Sequence, residues 1–577
     1  MFFKTSMTDL ELHTAAGTLP PQDVLAVRAW LMPDQTVFTF VDDAGVETGT
    51  LTYRDLWQRA TAVASALKEA AEPGERVILF YPAGLDFIGA FMGCLLAEQI
   101  AVPVNLPLRR TADRTVKIIE DCSAKVVMAP MDMIDDIRSN FSGTSVDDLT
   151  WIASDALQID EGAAKIPEYG SGIDPDKVAY LQYTSGSTSD PKGVMITYEN
   201  VITNCRTIRD TLRLDEKSTS VFWQPHHHDM GLICSQLLPI VLGNHTVLMS
   251  PNTFVRQPIL WLQMMSKYKA EIGGGPNFAF DMTAERFSEA KMEGVDLSNW
   301  RLALNGSDVV RKKTMDGFAE VFAPYGYKPE TMLVCYGLAE AVLFVSAGPV
   351  GQIPHAIDVD ADEIELNAKA TAIKPSDESR NVVGCGQPSW EMEIAIVDPE
   401  TLEERAPGDV GEVWLRSRTI GIGYWDNPSA TEQTFRGQIA GKSGKYYLRT
   451  GDLGFMNPQD KQLYVCGRIK DLIIVSGYNV YPRQIEEALY TCDAVEEATV
   501  IGIPHEHRGE VPKAFIKLKD GHSVTEADIQ AHLEQKLSKL EWPAEIEFRD
   551  ALPKTMIGKL SKKELKAEEA GKRKATS

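Results

Sequence analysis

A-Y-L-Q-Y-T-S-G-S-T-S-D-P-K-G-V-M, from Ala179 to Met195, is the stretch on which the reading of this chain turns. Val178 to Tyr183 alternates in a way that predicts a half-buried strand, and Val194 to Ile196 is a second apolar run. Between them Thr184, Ser185, Gly186, Ser187, Thr188 and Ser189 form a small hydroxyl-rich loop, closed by Asp190-Pro191-Lys192-Gly193. Such a loop offers backbone N–H groups and hydroxyls in a concave arc with a cation at its rim, which suits a polyphosphate. It is not a Walker loop, because Gly193 stands where the magnesium-binding Ser or Thr belongs and the glycine spacing is wrong. A Gly/Ser/Thr cluster is also common surface-turn chemistry, so the loop by itself leaves both readings open.

Working outward, the chain reads as α/β. Leu56, Ala60, Val63, Ala64 and Leu67 share a helical face, and Val77–Tyr81 is a buried-strand run. Leu85–Glu98 reads as helix, Ala101–Val104 as strand, Ile118 to Cys122 as helix and Lys125–Met128 as strand. This is the βαβ pattern of a parallel sheet covered by helices. The polar, acidic segment 131–177 reads as a connector or a loop-rich excursion. Beyond the loop a second α/β series has a helix on Val201, Cys205, Ile208 and Leu212, and strands at Thr246–Met249, Trp300–Leu304 and Met332–Cys335. Residues 351–380 are polar and acidic without a period and read as an insertion. A small β subdomain is expected near 385–469, completing a large N-terminal domain over 1–469. A small, mobile α+β domain is expected over 470–577, with helix at Ile485–Tyr490 and Glu526–Leu540 and a lysine-rich, disordered tail from Lys554.

At 577 residues the chain needs several folding units. Its 44% hydrophobic and 24% charged residues are those of an ordinary globular protein. A formal net charge of -24 argues against nucleic-acid partners and anionic membranes. No apolar run is long enough to insert in a membrane, and the eight cysteines form no C-x-x-C pair, so a reducing cytoplasm is the expected location.

Further stretches carry polar chemistry: Trp223-Gln-Pro-His-His-His-Asp-Met-Gly231, Gly273-Gly-Gly-Pro-Asn-Phe278, Leu304-Asn-Gly-Ser-Asp308, Cys335-Tyr-Gly-Leu-Ala-Glu340, Leu448-Arg-Thr-Gly-Asp-Leu-Gly454, Gly467-Arg-Ile-Lys-Asp471 and Leu552-Pro-Lys-Thr-Met-Ile-Gly-Lys559. Three consecutive histidines on a strand cannot face one point, which disfavours a metal site there. The glycine run either lets a ligand approach the backbone or makes a tight bend. Two of the motifs end strand candidates, where ligands of open α/β sheets sit. Singly, each is ordinary turn or surface chemistry.

Together, in this order, they resemble the adenylate-forming superfamily of acyl-CoA synthetases, peptide-synthetase adenylation domains and luciferases, over about Leu51 to Lys563. More narrowly the chain resembles the fatty acyl-AMP ligases, on Tyr183-Thr-Ser-Gly-Ser-Thr, His228-Asp-Met-Gly-Leu, Gly275-Pro-Asn-Phe, Asn305-Gly-Ser, Tyr336-Gly-Leu-Ala-Glu-Ala, Cys385-Gly-Gln-Pro and Leu448-Arg-Thr-Gly-Asp-Leu-Gly-Phe455. Residues 351–380 lie where those ligases carry an insertion that CoA ligases lack.

The resemblance implies ATP and Mg2+, a fatty acid as substrate and a phosphopantetheinylated acyl carrier protein as acceptor. It implies that Thr184, Ser185, Gly186, Ser187, Thr188 and Lys192 hold the β- and γ-phosphates and that Glu340 carries the magnesium. Asn305, Gly306, Ser307, Tyr336 and Gly337 would wall the adenine. Asp452, supported by Arg468, would hold the ribose. Lys559 is implied as the catalytic cation, His228 as the junction of acyl tunnel and nucleotide site, and Lys470 as the hinge. Gly273, Gly274, Gly275 and Phe278 would line the acyl pocket. The basic residues of the tail from Lys554 offer a docking patch for an acidic carrier, or simply a solubilising tail. Departures from the pattern are Ser189 for a glycine, Tyr478 for an arginine, and Met556-Ile557 before Gly558-Lys559. The Tyr478 departure leans towards a fatty acyl-CoA synthetase, the alternative reading, while a catalytically inert binding regulator is disfavoured by the presence of both Glu340 and Lys559.

Overall fold

The computed structural model describes residues 19–107, 112–159, 172–184, 191–360, 363–364, 368–375, 379–476, 478–505, 507–554 and 560–576. Ser185, Gly186, Ser187, Thr188, Ser189, Met556, Ile557, Gly558 and Lys559 therefore lie outside the described residues.

Val178–Thr184 is a strand, and Lys192–Thr197 returns antiparallel beside it, Thr184 opposite Lys192. This hairpin belongs to a seven-stranded sheet. Strands Ile100–Val104, Arg76–Phe80, Val126–Ala129 and Thr150–Ala153 continue the sheet in parallel from Val178–Thr184. Gly423–Tyr424 closes the opposite edge, antiparallel to Lys192–Thr197. The edge strand Thr150–Ala153 corrects the reading of 131–177 as a connector. It is only four residues long with an exposed Thr150, so its polar surroundings hide it in the sequence.

The second large sheet has nine strands. Its parallel centre is Met332–Gly337, Leu302–Asn305, Ile272–Gly275, Thr219–Phe222, His245–Met249 and Thr36–Val41. Glu47–Thr52 pairs antiparallel at one edge, and neither it nor Thr36–Val41 was evident in the sequence. The glycine run is thus a buried central strand and not a bend. A Cβ on Gly274 would lie 2.3 Å from the Leu304 carbonyl oxygen, so the neighbouring strand approaches only because no side chain intervenes. Helices Tyr53–Ala70 and Tyr198–Leu212, each begun by a threonine capping box, belong to one apolar core continuous from sheet to sheet.

The polar segment 351–380 contributes the hairpin Ala356–Asp360 with Ser379–Val383. Its Val359 and Ile364 pack into a cluster with Leu453, Phe455 and Tyr464 of the four-stranded antiparallel subdomain, and with Tyr481.

A short turn, Ile469–Asp471, leads into a five-stranded sheet with its own core. Its helix Glu526–Glu534 is shorter than the apolar spacing to Leu540 suggested, because the chain turns after Gln535 to bury Glu541 and direct Glu545–Phe548 into the sheet. The tail is ordered: Lys562–Thr576 is a helix. Lys562 pairs with Glu486 at 2.8 Å, Lys572 with Glu569 at 2.7 Å, and Lys554 with Glu497. Buried Lys513 binds Glu545, Glu547 and Glu569 at 2.9, 3.0 and 3.1 Å. Those tail cations pair with glutamates of their own domain while staying partly exposed, Lys572 at 53% of its side chain. Among the described residues no helix is long and apolar enough to cross a membrane, and all eight cysteines are free thiols.

Candidate active site

The site lies where strands of the two large sheets and the antiparallel subdomain end against one another. Lys192 begins its strand with Nζ 5.1 Å from the ring centre of Tyr424. The Tyr424 hydroxyl donates to Glu340 Oε1 at 3.0 Å, and the Gly421 N–H donates to the Glu340 carbonyl at 2.9 Å. Tyr424 thus ties Lys192 to Glu340. Nothing in its sequence surroundings, Gly-Tyr-Trp-Asp, singles it out. Burial raises the Glu340 pKa above the usual 4.5, and the Tyr424 hydroxyl moderates that shift.

The backbone after Glu340 is strained. Val342 has φ 66° and ψ −60°, and the Leu343 N–H donates to the Ala341 carbonyl at 2.8 Å. That is the rare γ-turn with positive φ, here on a buried β-branched residue. Such strain costs on the order of 1–3 kcal/mol and persists where surrounding structure enforces it. Gly337 is fixed by the same loop, since a Cβ there would lie 1.8 Å from the Leu343 oxygen.

Asp452 is 4% exposed. Tyr336 donates its hydroxyl to Asp452 Oδ2 at 2.6 Å, and Arg468 Nε donates to Oδ1 at 2.9 Å. Asp452 and Arg468 face one another across the pair Leu448–Met456 and Leu463–Arg468. The carboxylate raises the Arg468 pKa, while burial, followed by Asp452, raises that of Tyr336. Asn305, wholly buried, ends the strand beside Met332–Gly337, and Ser307 takes φ +69° in the turn that follows. A Cβ on Gly306 would come within 2.8 Å of the Cys335 oxygen. Arg468 and Asp229 both act on Glu340 through their charges, joining the two halves.

His228 Nδ1 sits 2.7 Å from Asp229 Oδ1. The three histidines occupy a turn, not a strand, and diverge. His226 stacks on Phe87 at 4.0 Å, and the His227 carbonyl accepts from Gln182 at 2.8 Å. Burial pushes both rings down, His227 to about 4, so both are neutral. The segment runs directly into a π-helical turn, Ile233–Leu237, a feature frequent at functional sites.

Gly275 lies against Trp223, whose ring stacks on Phe254 at 3.9 Å and meets Phe278 edge-on at 5.8 Å. Trp223 and Phe254 pack with Gly275 and Phe278, a cluster that motif reading missed because apolar aromatics carry no spacing signal. Lys470 lies in the turn between the domains, its carbonyl accepting from Lys566 at 3.2 Å. Among the described residues no group of three or more His, Cys, Asp or Glu side chains can hold a metal alone. Glu340 still fits magnesium, which keeps waters and needs only one or two carboxylates beside substrate phosphates.

A family profile described as AMP-binding enzyme matches residues 26–425, and one described as AMP-binding enzyme C-terminal domain matches 484–559. The chain is 36% identical over 473 residues to the medium-chain-fatty-acid–[acyl-carrier-protein] ligase JamA of Moorena producens, covering 80% of this chain and 79% of that protein. It is 36% identical over 484 residues to the 4-hydroxyphenylalkanoate adenylyltransferase of Mycobacterium tuberculosis, covering 81% and 77%. A solved fatty acyl-adenylate ligase from L. pneumophila, in complex with acyl adenylate and pyrophosphate, is 35% identical with TM-score 0.74 over 90% of each chain. A chain from a structural study of the fatty acyl-adenylate ligases of E. coli and L. pneumophila is 27% identical with TM-score 0.84, covering 97% and 99%. The chain belongs to the AMP-binding enzymes of the adenylate-forming superfamily, among the fatty acyl-AMP ligases.

Proposed function

We propose that this enzyme joins a fatty acid to AMP and passes the acyl group to the phosphopantetheine thiol of an acyl carrier protein. A carboxylate oxygen attacks the α-phosphorus of ATP and pyrophosphate leaves, giving acyl-AMP. The thiol sulfur then takes the acyl carbon, AMP leaves and the thiol proton is released. The first step needs positioning and charge neutralisation more than covalent help from the protein. The observation that carries this reading is a pair of side-chain clusters linked by the charge of Arg468 acting on Glu340. Lys192, Tyr424 and Glu340 form the cluster for phosphates, and Tyr336, Asp452 and Arg468 form the cluster for the nucleoside. Thr184 to Lys192 hold the β- and γ-phosphates, Asp452 accepts from the ribose hydroxyls, and Asn305, Gly306, Ser307, Tyr336 and Gly337 bound the base. His228 separates the nucleotide from the apolar space beside Gly275, Trp223 and Phe278. Magnesium bound at Glu340 would supply positive charge to the phosphates. Lys559 supplies a cation to the α-phosphate, and the small domain turns about Lys470 between steps.

The test is to incubate the protein with ATP, magnesium and fatty acids of graded length, with CoA or a phosphopantetheinylated carrier in parallel, and to read products by mass spectrometry. Acyl-AMP that persists with CoA but loads the carrier supports the proposal; no acyl-AMP at any length refutes it. Rapid acyl-CoA formation would select the CoA ligase, which the half-exposed Tyr478 at a position of expected arginine favours.

The hairpin of the insertion supports the carrier as acceptor. Its Ile357 and Val359 share a cluster with Ile469 and Leu472, on either side of Lys470, and with Tyr481. At its base His355 Nδ1 is 2.7 Å from Asp460 and 2.9 Å from the Tyr464 hydroxyl. Packing at the hinge restrains rotation. Replacing 356–383 by a short linker is expected to raise acyl-CoA formation on the order of tenfold, a change of about 1.4 kcal/mol in the domain equilibrium. Unchanged CoA use in a folded deletion variant would remove the hairpin from acceptor choice.

A further inference from the structure

The chain leaving the nucleotide turn at Ser307 reaches three parts of the molecule within six residues. Asn277, the first residue of helix Asn277–Glu285, knits the turn from one side. Its Nδ2 donates to the Val309 carbonyl at 3.0 Å, and its Oδ1 accepts from the Arg311 N–H at 3.2 Å and from Asn305 Nδ2 at 3.4 Å. The same helix follows the Gly273–Gly275 strand directly, and its Asp281 pairs with Arg311 Nη2 at 2.5 Å. The Arg311 guanidinium lies 4.8 Å from the ring centre of Tyr490, the last residue of the small domain's helix Pro482–Tyr490. Lys313 Nζ donates to the Tyr490 carbonyl at 2.8 Å, and Arg483 of that helix donates to the Val310 carbonyl at 3.0 Å.

The small domain therefore meets the large one through this helix. Its hairpin Ile473–Val475 with Tyr478–Val480 has Ile474 53% and Tyr478 45% exposed. A turn about Lys470 that carried the hairpin inward would have to break the helix contacts. Arginine suits the node because its flat guanidinium can pair with a carboxylate and stack on an aromatic ring at once, which a lysine ammonium cannot.

We infer that Arg311 is a positioning residue for acyl-adenylate formation, holding the small domain in this pose by linking Tyr490 to the nucleotide turn and to the acyl-pocket helix. The inference rests on the reaction proposed above. Arg311 touches no reacting atom in this scheme. It makes the first half-reaction depend on an arrangement that the second half-reaction has to release.

The test uses the full-length chain with Arg311→Gln, Arg311→Lys, Tyr490→Leu and Tyr490→Phe. Pyrophosphate release reports the first half-reaction, transfer of supplied acyl-AMP to pantetheine the second, and hydrogen exchange of residues 482–490 the hold itself. Arg311→Gln, Arg311→Lys and Tyr490→Leu are expected to lower kcat for pyrophosphate release about tenfold. KM for ATP and fatty acid stays near wild type, transfer from acyl-AMP is unchanged or faster, and exchange of the helix rises. Tyr490→Phe keeps the ring, gives up only hydroxyl bonds to Ala498 within the small domain, and stays near wild type. Equal loss of both half-reactions, or unchanged exchange in Arg311→Gln, would overturn the inference. Should the wild-type chain form no acyl-AMP, the proposed reaction fails, and hydrogen exchange alone decides whether Arg311 holds the helix.

Discussion

Glu340→Gln is expected to slow acyl-adenylate formation by about 10²–10³-fold while leaving the fold intact. The substitution keeps the shape and an oxygen that can accept from the Tyr424 hydroxyl, so the line from Lys192 to residue 340 survives. What is lost is one negative charge beside the place proposed for the triphosphate. Without it the divalent cation loses the carboxylate proposed to hold it, so pyrophosphate release should lose its ordinary saturation with magnesium. Direct calorimetry of magnesium binding to the ATP-loaded protein gives a readout independent of turnover. Burial already raises the Glu340 pKa above 4.5. The ionised form holds a cation and the neutral acid does not. The wild type should therefore need more magnesium as pH falls towards that raised pKa, and Glu340→Gln should show no such trend. An unchanged magnesium titration in the variant would remove Glu340 from this role.

Much of the framework was legible because its signals are periodic. The strand at Val178, the helix on Leu56 to Leu67 and the buried runs at Val77 and Thr246 follow from residue spacing alone. Short or side-chain-poor elements were not legible. Gly273–Gly275 carries no pattern, and only the Leu304 carbonyl beside Gly274 reveals why it is a strand. The helix Lys562–Thr576 was hidden by its charge, because six lysines and arginines among residues 562–576 read as solvated tail until Glu486, Glu547 and Glu569 are seen to meet them. At the site the motif residues were legible one by one, but their partnerships were not. Asp452 and Tyr336 lie 116 residues apart and share a hydrogen bond. Tyr424 lies outside every motif and links two of them. The strained turn at Val342 is set by surrounding strands, against the preference of its own side chain.

Lys559→Ala is expected to produce a comparable loss, about 10²–10³-fold in pyrophosphate release, confined to the first half-reaction. The role proposed for it is that of the cation between fatty carboxylate and α-phosphate, where negative charge accumulates. The described residues on either side of it are firmly pinned. Lys554 and Leu560 form a bridge, and the Ser561 N–H donates to the Pro553 carbonyl at 2.7 Å. The helix that follows is held by Lys513, which is 6% exposed among Glu545, Glu547 and Glu569. Two substitutions therefore separate chemistry from support. Lys559→Ala should leave thermal stability and the consumption of supplied acyl-AMP unchanged. Lys513→Met removes the buried cation shared by Glu545, Glu547 and Glu569 and leaves only Arg549 and Lys572 to meet the last two; it should destabilise the small domain by about 3 kcal/mol and lower both half-reactions together. Full pyrophosphate release by Lys559→Ala would remove Lys559 from the first half-reaction. The selective loss, set against the general loss from Lys513→Met, would show that the small domain delivers one charge to the α-phosphate and otherwise serves to hold and withdraw it.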